Sequence, residues 1–141
     1  MKQKAIATLI LFFLPSFACG ESFEIQCNEV LEITLESSRA YDNPYREIEL
    51  DLQLTDPAGQ EKIIPGYWDG DDRWKVRLSC PNAGKYTFRT ICSDQDNDGL
   101  GGKTGSISIK PYDGPNPLLK HGALKIGGTK NIVHADGTPF L

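Results

Sequence analysis

Apolar and polar residues alternate with a period of two along most of this chain, and no stretch sustains the 3.6-residue period of a helix. Leu31, Ile33 and Leu35 are interleaved with Glu32 and Thr34. Ile48, Leu50, Leu52 and Leu54 are interleaved with Glu49, Asp51 and Gln53, which predicts a strand with one buried and one wet face. Ile63 and Ile64 predict a short strand ended by Pro65-Gly66. Trp74, Val76 and Leu78 share one face while Lys75, Arg77 and Ser79 share the other. Tyr86, Phe88 and Thr90 repeat the pattern, as do Ile107 and Ile109. Asp56-Pro57-Ala58-Gly59 has the composition of a turn, with Pro where its fixed φ helps. Asp69, Asp71 and Asp72 fall in a hairpin loop between two tryptophans, and Pro81-Asn82-Ala83 followed by Gly84 predicts a second hairpin. Five to seven short strands with regular turns over about ninety residues predict an all-β fold: an immunoglobulin-like antiparallel β-sandwich over residues 21–111.

After Pro111 the texture changes. Tyr112-Asp113-Gly114-Pro115-Asn116-Pro117 predicts a linker, too rich in Pro and Gly for a strand interior. Two strand-like pieces follow, Gly122 to Ile126 and Lys130 to His134, around a turn at Gly127-Gly128. Residues 112–141 therefore predict a linker and hairpin, with the start of a following domain at an apolar end.

The N-terminus changes the expected compartment. Lys2 and Lys4 precede an apolar run from Ala5 to Leu14, and small residues stand at Ser16, Ala18 and Gly20, the pattern of a secretory signal over residues 1–20. Cleavage fits after Ala18 or Gly20. A lipoprotein anchored through Cys19 is a second reading, against which Ser16 stands where Leu is usual and Phe17 where a small residue is usual. Without Lys2 and Lys4 the 15 basic residues become 13 against 19 acidic ones, a charge of −6. The expected product is an exported, acidic protein, periplasmic or extracellular. Basic residues never cluster, so no nucleic-acid partner is expected. No apolar run reaches the ~20 residues of a membrane span.

An oxidising compartment permits one disulfide among Cys27, Cys80 and Cys92. The predicted hairpin around Pro81-Asn82-Ala83 sets Cys80 opposite Lys85 and Cys92 opposite Arg73. The two cysteines then lie about 20 Å apart, beyond the ~7 Å reach of a bridge. Cys27 is left as the partner of one of them, with Cys27 and Cys92 the first candidates. Three buried free thiols are the other reading.

Candidate chemistry is sparse. Asp94, Asp96 and Asp98 with Gly99 spell D-x-D-x-D-G, the opening of a calcium loop in which alternate carboxylates converge on one cation. The twelfth position is Gly105, which lacks the bidentate carboxylate, so calcium would occupy a partial cage. An Asp-Gly turn accounts for the same residues. Tyr67 and Trp68 are loop aromatics that would stack on a sugar ring; packing under the loop is the alternative for Trp68. Trp74 shares its face with Val76 and Leu78 and belongs to the core. Arg77 lies outward and has strand carboxylates within reach. His121 and His134 lie in the tail, with no Ser or Cys arranged beside them. No catalytic residue is expected in this chain.

Several pieces, taken in order, are similar to a known family. They are Asn43-Pro44-Tyr45, Pro65-Gly66-Tyr67-Trp68-Asp69-Gly70, Trp74-Lys75-Val76-Arg77-Leu78 and Gly84-Lys85-Tyr86. Leu100-Gly101-Gly102, Thr104-Gly105, His121-Gly122 and Ala135-Asp136-Gly137-Thr138-Pro139-Phe140 continue the series. Together they resemble a bacterial N-terminal domain of unknown function, an immunoglobulin-like sandwich that precedes (β/α)8 barrels predicted to be glycoside hydrolases of the apiosidase-like kind. Ile132-Val133-His134 departs from the more aromatic approach usual there. The resemblance implies that the chain is the front of a longer enzyme, cut before its catalytic barrel, which would be its main partner. It implies a non-catalytic role, supporting the barrel or its substrate cleft. Two other functions fit the residues: a carbohydrate-binding module for polysaccharide, and a free-standing calcium-stabilised adhesion domain.

Overall fold

The computed structural model describes residues 20–128 and 130–140. The expected signal, Cys19 included, falls outside them up to residue 19. The strands are β1 (Glu21–Gln26), β2 (Val30–Glu36), β3 (Leu50–Thr55), β4 (Glu61–Pro65), β5 (Tyr67–Trp68), β6 (Arg73–Ser79), β7 (Gly84–Cys92) and β8 (Thr104–Lys110), followed by β9 (Leu124–Gly127) and β10 (Asn131–His134). Two single-turn helices, α1 (Pro44–Glu47) and α2 (Pro117–His121), each begin on a proline, whose missing N–H costs nothing at that position. Among the described residues no helix is long and apolar enough to cross a membrane.

The strands form an all-β sandwich. One sheet runs β1-β8-β7-β3-β4 and faces a smaller sheet β2-β6-β5, while β9 and β10 pair as a separate hairpin. The period-two pattern maps directly onto the space between the sheets. Ile33, Leu35, Trp74, Val76 and Leu78 come from the small sheet, and Leu50, Leu52, Leu54, Tyr86, Phe88, Ile107 and Ile109 from the large one, all at most 5% exposed. Trp74 is a core residue, as its neighbours Val76 and Leu78 imply. Hairpins form at Asp56–Gly59, at Asp69–Asp72 and around Gly127-Gly128.

Two pairings depart from the expected antiparallel meander. The edge strand β1 runs parallel to β8, with Glu21 opposite Gly105 and Gln26 opposite Lys110, so the large sheet is mixed. More consequentially, β6 and β7 are not a hairpin. β6 pairs with β2 and β5, β7 with β3 and β8. Pro81-Asn82-Ala83 is thus a crossing between sheets, where a local turn signal does not say which sheet its arms join.

That crossing corrects the cysteine geometry. Cys27, Cys80 and Cys92 are all buried, and the structure shows no bridge between them. The Cys27 N–H donates to Lys110 O at 2.8 Å, at the end of β8 that pairs with Gly84. Cys92 ends the nine-residue β7 that begins at Gly84, about 26 Å away at ~3.3 Å per residue. The expected Cys27–Cys92 bridge cannot form across that distance.

The linker and tail are tied back to the sandwich. Gln26 donates to Asp113 at 2.7 Å and the Asn28 amide to Leu119 O at 2.7 Å, with Asn28 at φ 65°, a left-handed conformation asparagine tolerates.

Candidate functional site

Gly66 positions the most conspicuous surface feature. The chain leaves β4 in the large sheet and enters β5 in the small one across this single residue, whose N–H donates to Leu50 O at 2.7 Å. A Cβ there would stand 2.8 Å from Leu50 Cδ2, so only glycine lets the backbone pass so close. The next two residues are Tyr67 and Trp68, 37% and 38% exposed. Opposite them, α1 carries Tyr45, 80% exposed, its start fixed by Pro44 and by the Asn43 N–H donating to Glu47 Oε1 at 2.7 Å. Tyr45, Tyr67 and Trp68 line one cleft of about 340 Å³ with the carboxylates of Glu49 and Asp51, and Ile48, Leu50 and Trp74 complete its apolar wall.

Within the cleft the two expected aromatics play different parts. Trp68 sits opposite Trp74 in the β5–β6 ladder, at the open edge of the sandwich. Its indole N–H donates to Asp71 O at 3.0 Å, which fixes the ring while leaving over a third of it in solvent. The expected alternatives meet here: Trp68 is anchored by its loop and still presents a face. Tyr67 is turned toward the outer surface of the small sheet, its hydroxyl donating to Glu32 at 3.2 Å and its ring 5.7 Å from the Arg77 guanidinium. Tyr45 is the member that residue-by-residue reading missed. Its signal was the proline before it, which favours the start of a helical turn.

Beside Tyr67 lies a charged lattice. Lys75 Nζ bridges Glu32 and Asp69, 2.9 Å from each, and Arg77 holds the other Glu32 oxygen. The Arg77 guanidinium first, then the Lys75 ammonium, hold the Glu32 carboxyl down at about 2. Reciprocally, Glu32 raises Lys75 and Arg77. The general acid of glycoside hydrolysis needs a carboxyl displaced upward. Glu32, Asp94 and Asp136 are all displaced downward, so at neutral pH they accept hydrogen bonds and give no proton.

The expected calcium cage is a different device. Asp94 accepts from the Tyr41 hydroxyl at 2.6 Å and lies 3.4 Å from Arg39, which also reaches Asp96 at 3.3 Å. Asp98 stays exposed. The Arg39 guanidinium thus pairs with two of the three carboxylates, and no group of three or more His, Cys, Asp or Glu among the described residues is placed to hold a metal ion. The residue that organises the loop is Asn97, which is fully buried. Its Oδ1 accepts from Ser38 and its Nδ2 donates to Ser37 Oγ at 2.7 Å and to the Tyr41 hydroxyl at 2.9 Å. Gly99 lets the strand pass, since a Cβ there would meet Glu36 O at 2.1 Å.

The tail histidines brace the tail. His121 Nδ1 lies 2.8 Å from Asp136, and the buried His134 donates from Nδ1 to Gly122 O at 3.0 Å. Leu118, Leu124, Ile126, Ile132 and Phe140 around them are exposed.

This architecture has known counterparts. The crystal structure of a putative glycoside hydrolase from Bacteroides vulgatus ATCC 8482 superposes at a TM-score of 0.70 with 23% identity, covering 84% of this chain and 21% of that one. The chain thus spans about a fifth of that protein's length. CopC from Methylosinus trichosporium OB3b superposes at 0.43 with 11% identity, over 67% of this chain and 89% of that one. No curated protein matches the chain. Residues 24–93, from β1 through β7, match the model of a domain of unknown function, DUF5060.

Proposed function

We propose that this chain is a non-catalytic N-terminal accessory domain of an exported carbohydrate-active enzyme of the glycoside hydrolase kind. In this reading it packs beside a following catalytic barrel and shapes the approach to its substrate cleft. The observation that carries the reading is the superposition of nearly the whole chain on a small part of a protein described as a glycoside hydrolase. The exposed apolar residues of α2, β9, β10 and Phe140 supply a surface for a neighbouring domain. The test is the coding sequence beyond Leu141. An open frame with strand–helix alternation and carboxylates at strand ends is the expected result; a stop codon at that point overturns the reading.

A second reading, a carbohydrate-binding module, is favoured by one observation: the cleft in which Tyr45, Tyr67 and Trp68 stand beside Glu49 and Asp51. Aromatic faces match the apolar face of a pyranose, and carboxylates accept from its hydroxyls. Affinity electrophoresis through gels cast with soluble polysaccharides separates the two roles, since only the module is retarded.

A further inference from the structure

We propose that Cys27 and Cys80 are a disulfide pair, joining the two places where the chain crosses between sheets at one end of the sandwich. Cys27 follows β1 of the large sheet and precedes β2 of the small one; Cys80 ends the run of β6 in the small sheet before β7 in the large one. The two crossings lie against each other. The Asn28 N–H, one bond beyond Cys27, donates to the carbonyl of Cys80 itself at 2.9 Å. Bond lengths alone then hold the two α-carbons within about 8 Å, and the usual bend at amide and carbonyl brings them to about 5–6 Å, inside the ~4.4–6.8 Å window of a bridge. Both side chains enter the same apolar core, 9% and 5% exposed. Burial pushes the Cys80 thiol up and Cys27 adds to the push, an effect that requires proximity. Cys92 stands at the opposite end of β7 and has no part in the pair.

Oxidation converts two thiols to one disulfide, releasing two protons and two electrons. The electrons go to a disulfide oxidant, such as oxidised glutathione or an oxidised dithiol protein, which leaves as two thiols through a mixed disulfide. Burial and a raised thiol slow this reaction in the folded chain, so the bond forms while the sandwich is still closing. The bridge would tie residues far apart in sequence and restrict the unfolded chain, the condition under which a disulfide stabilises most in the chain-entropy account.

The chain is unfolded under reducing conditions, refolded in a mixture of reduced and oxidised glutathione, alkylated without reductant and mapped by mass spectrometry. The expected product links the peptide containing Cys27 to that containing Cys80 and carries an alkylated Cys92. Alkylation of Cys27, Cys80 and Cys92 together, or a bridge that joins Cys27 or Cys80 to Cys19 or Cys92, overturns the proposal. Cys92→Ala should keep the bridge and lose about 10 °C in Tm on reduction; a Tm indifferent to reductant in that variant also counts against it. Because refolding is done in vitro, the result is independent of whether the protein is exported.

Discussion

Trp68, Glu32 and Asn97 each do work that a single substitution can isolate. Trp68→Ala removes a cleft aromatic whose indole is fixed by its hydrogen bond to Asp71 O. If the cleft binds glycan, retardation in the affinity gel falls by tenfold or more while Tm moves little, in line with about 1–3 kcal/mol for a stacked ring. Glu32 tests the charged lattice through pH. Its folded value of about 2 lies below its ordinary 4.5, so the stability it contributes is present above pH 4.5 and is lost as pH falls toward 2. Thermal melts of Glu32→Gln should lie below those of the parent at pH 7 and converge with them near pH 2. Asn97→Ala empties a fully buried polar position and removes its hydrogen bonds to Ser37, Ser38 and Tyr41, and should cost about 1–3 kcal/mol in denaturant unfolding.

At the scale of elements, the loop between β7 and β8 is held by sterics as much as by hydrogen bonds. Gly99→Ala drives a methyl into Glu36 O and should destabilise by about 3 kcal/mol or more. Gly70→Ala, in open space at φ 98°, should cost only about 1 kcal/mol of backbone strain. The strands themselves were legible, because Leu50, Leu52 and Leu54 or Trp74, Val76 and Leu78 state their buried face by alternation alone. Sheet membership was not. Pro81-Asn82-Ala83 announces a turn, but whether β6 then pairs with β7 or hands the chain to the facing sheet depends on β2 and β3, far away in sequence. The Cys27–Cys92 expectation failed for that reason. The D-x-D-x-D-G spacing of Asp94, Asp96 and Asp98 is that of a calcium loop, and it could not show that Arg39 and Tyr41 pair with Asp94 and Asp96 from another segment while Asp98 stays exposed.

At the scale of the whole molecule, the sandwich is held by its apolar core and by side-chain latches between loops, among them the pairing of Arg39 with Asp94 and Asp96. A chelator should therefore leave Tm unchanged, whereas a cation bound only by the native state would make Tm fall on its removal. The parallel pairing of β1 with β8 has a consequence for how the chain is made. The partner of Glu21 is Gly105, so the first strand of the sandwich has nothing to pair with in its sheet until β8 has followed it. A contact of such long range is among the slower ones to close. Until β8 arrives, β7 is paired on the β3 side alone and lacks its other neighbour. The sandwich thus stays open and threadable until β8 has been made, and gains β1 as its edge strand only then.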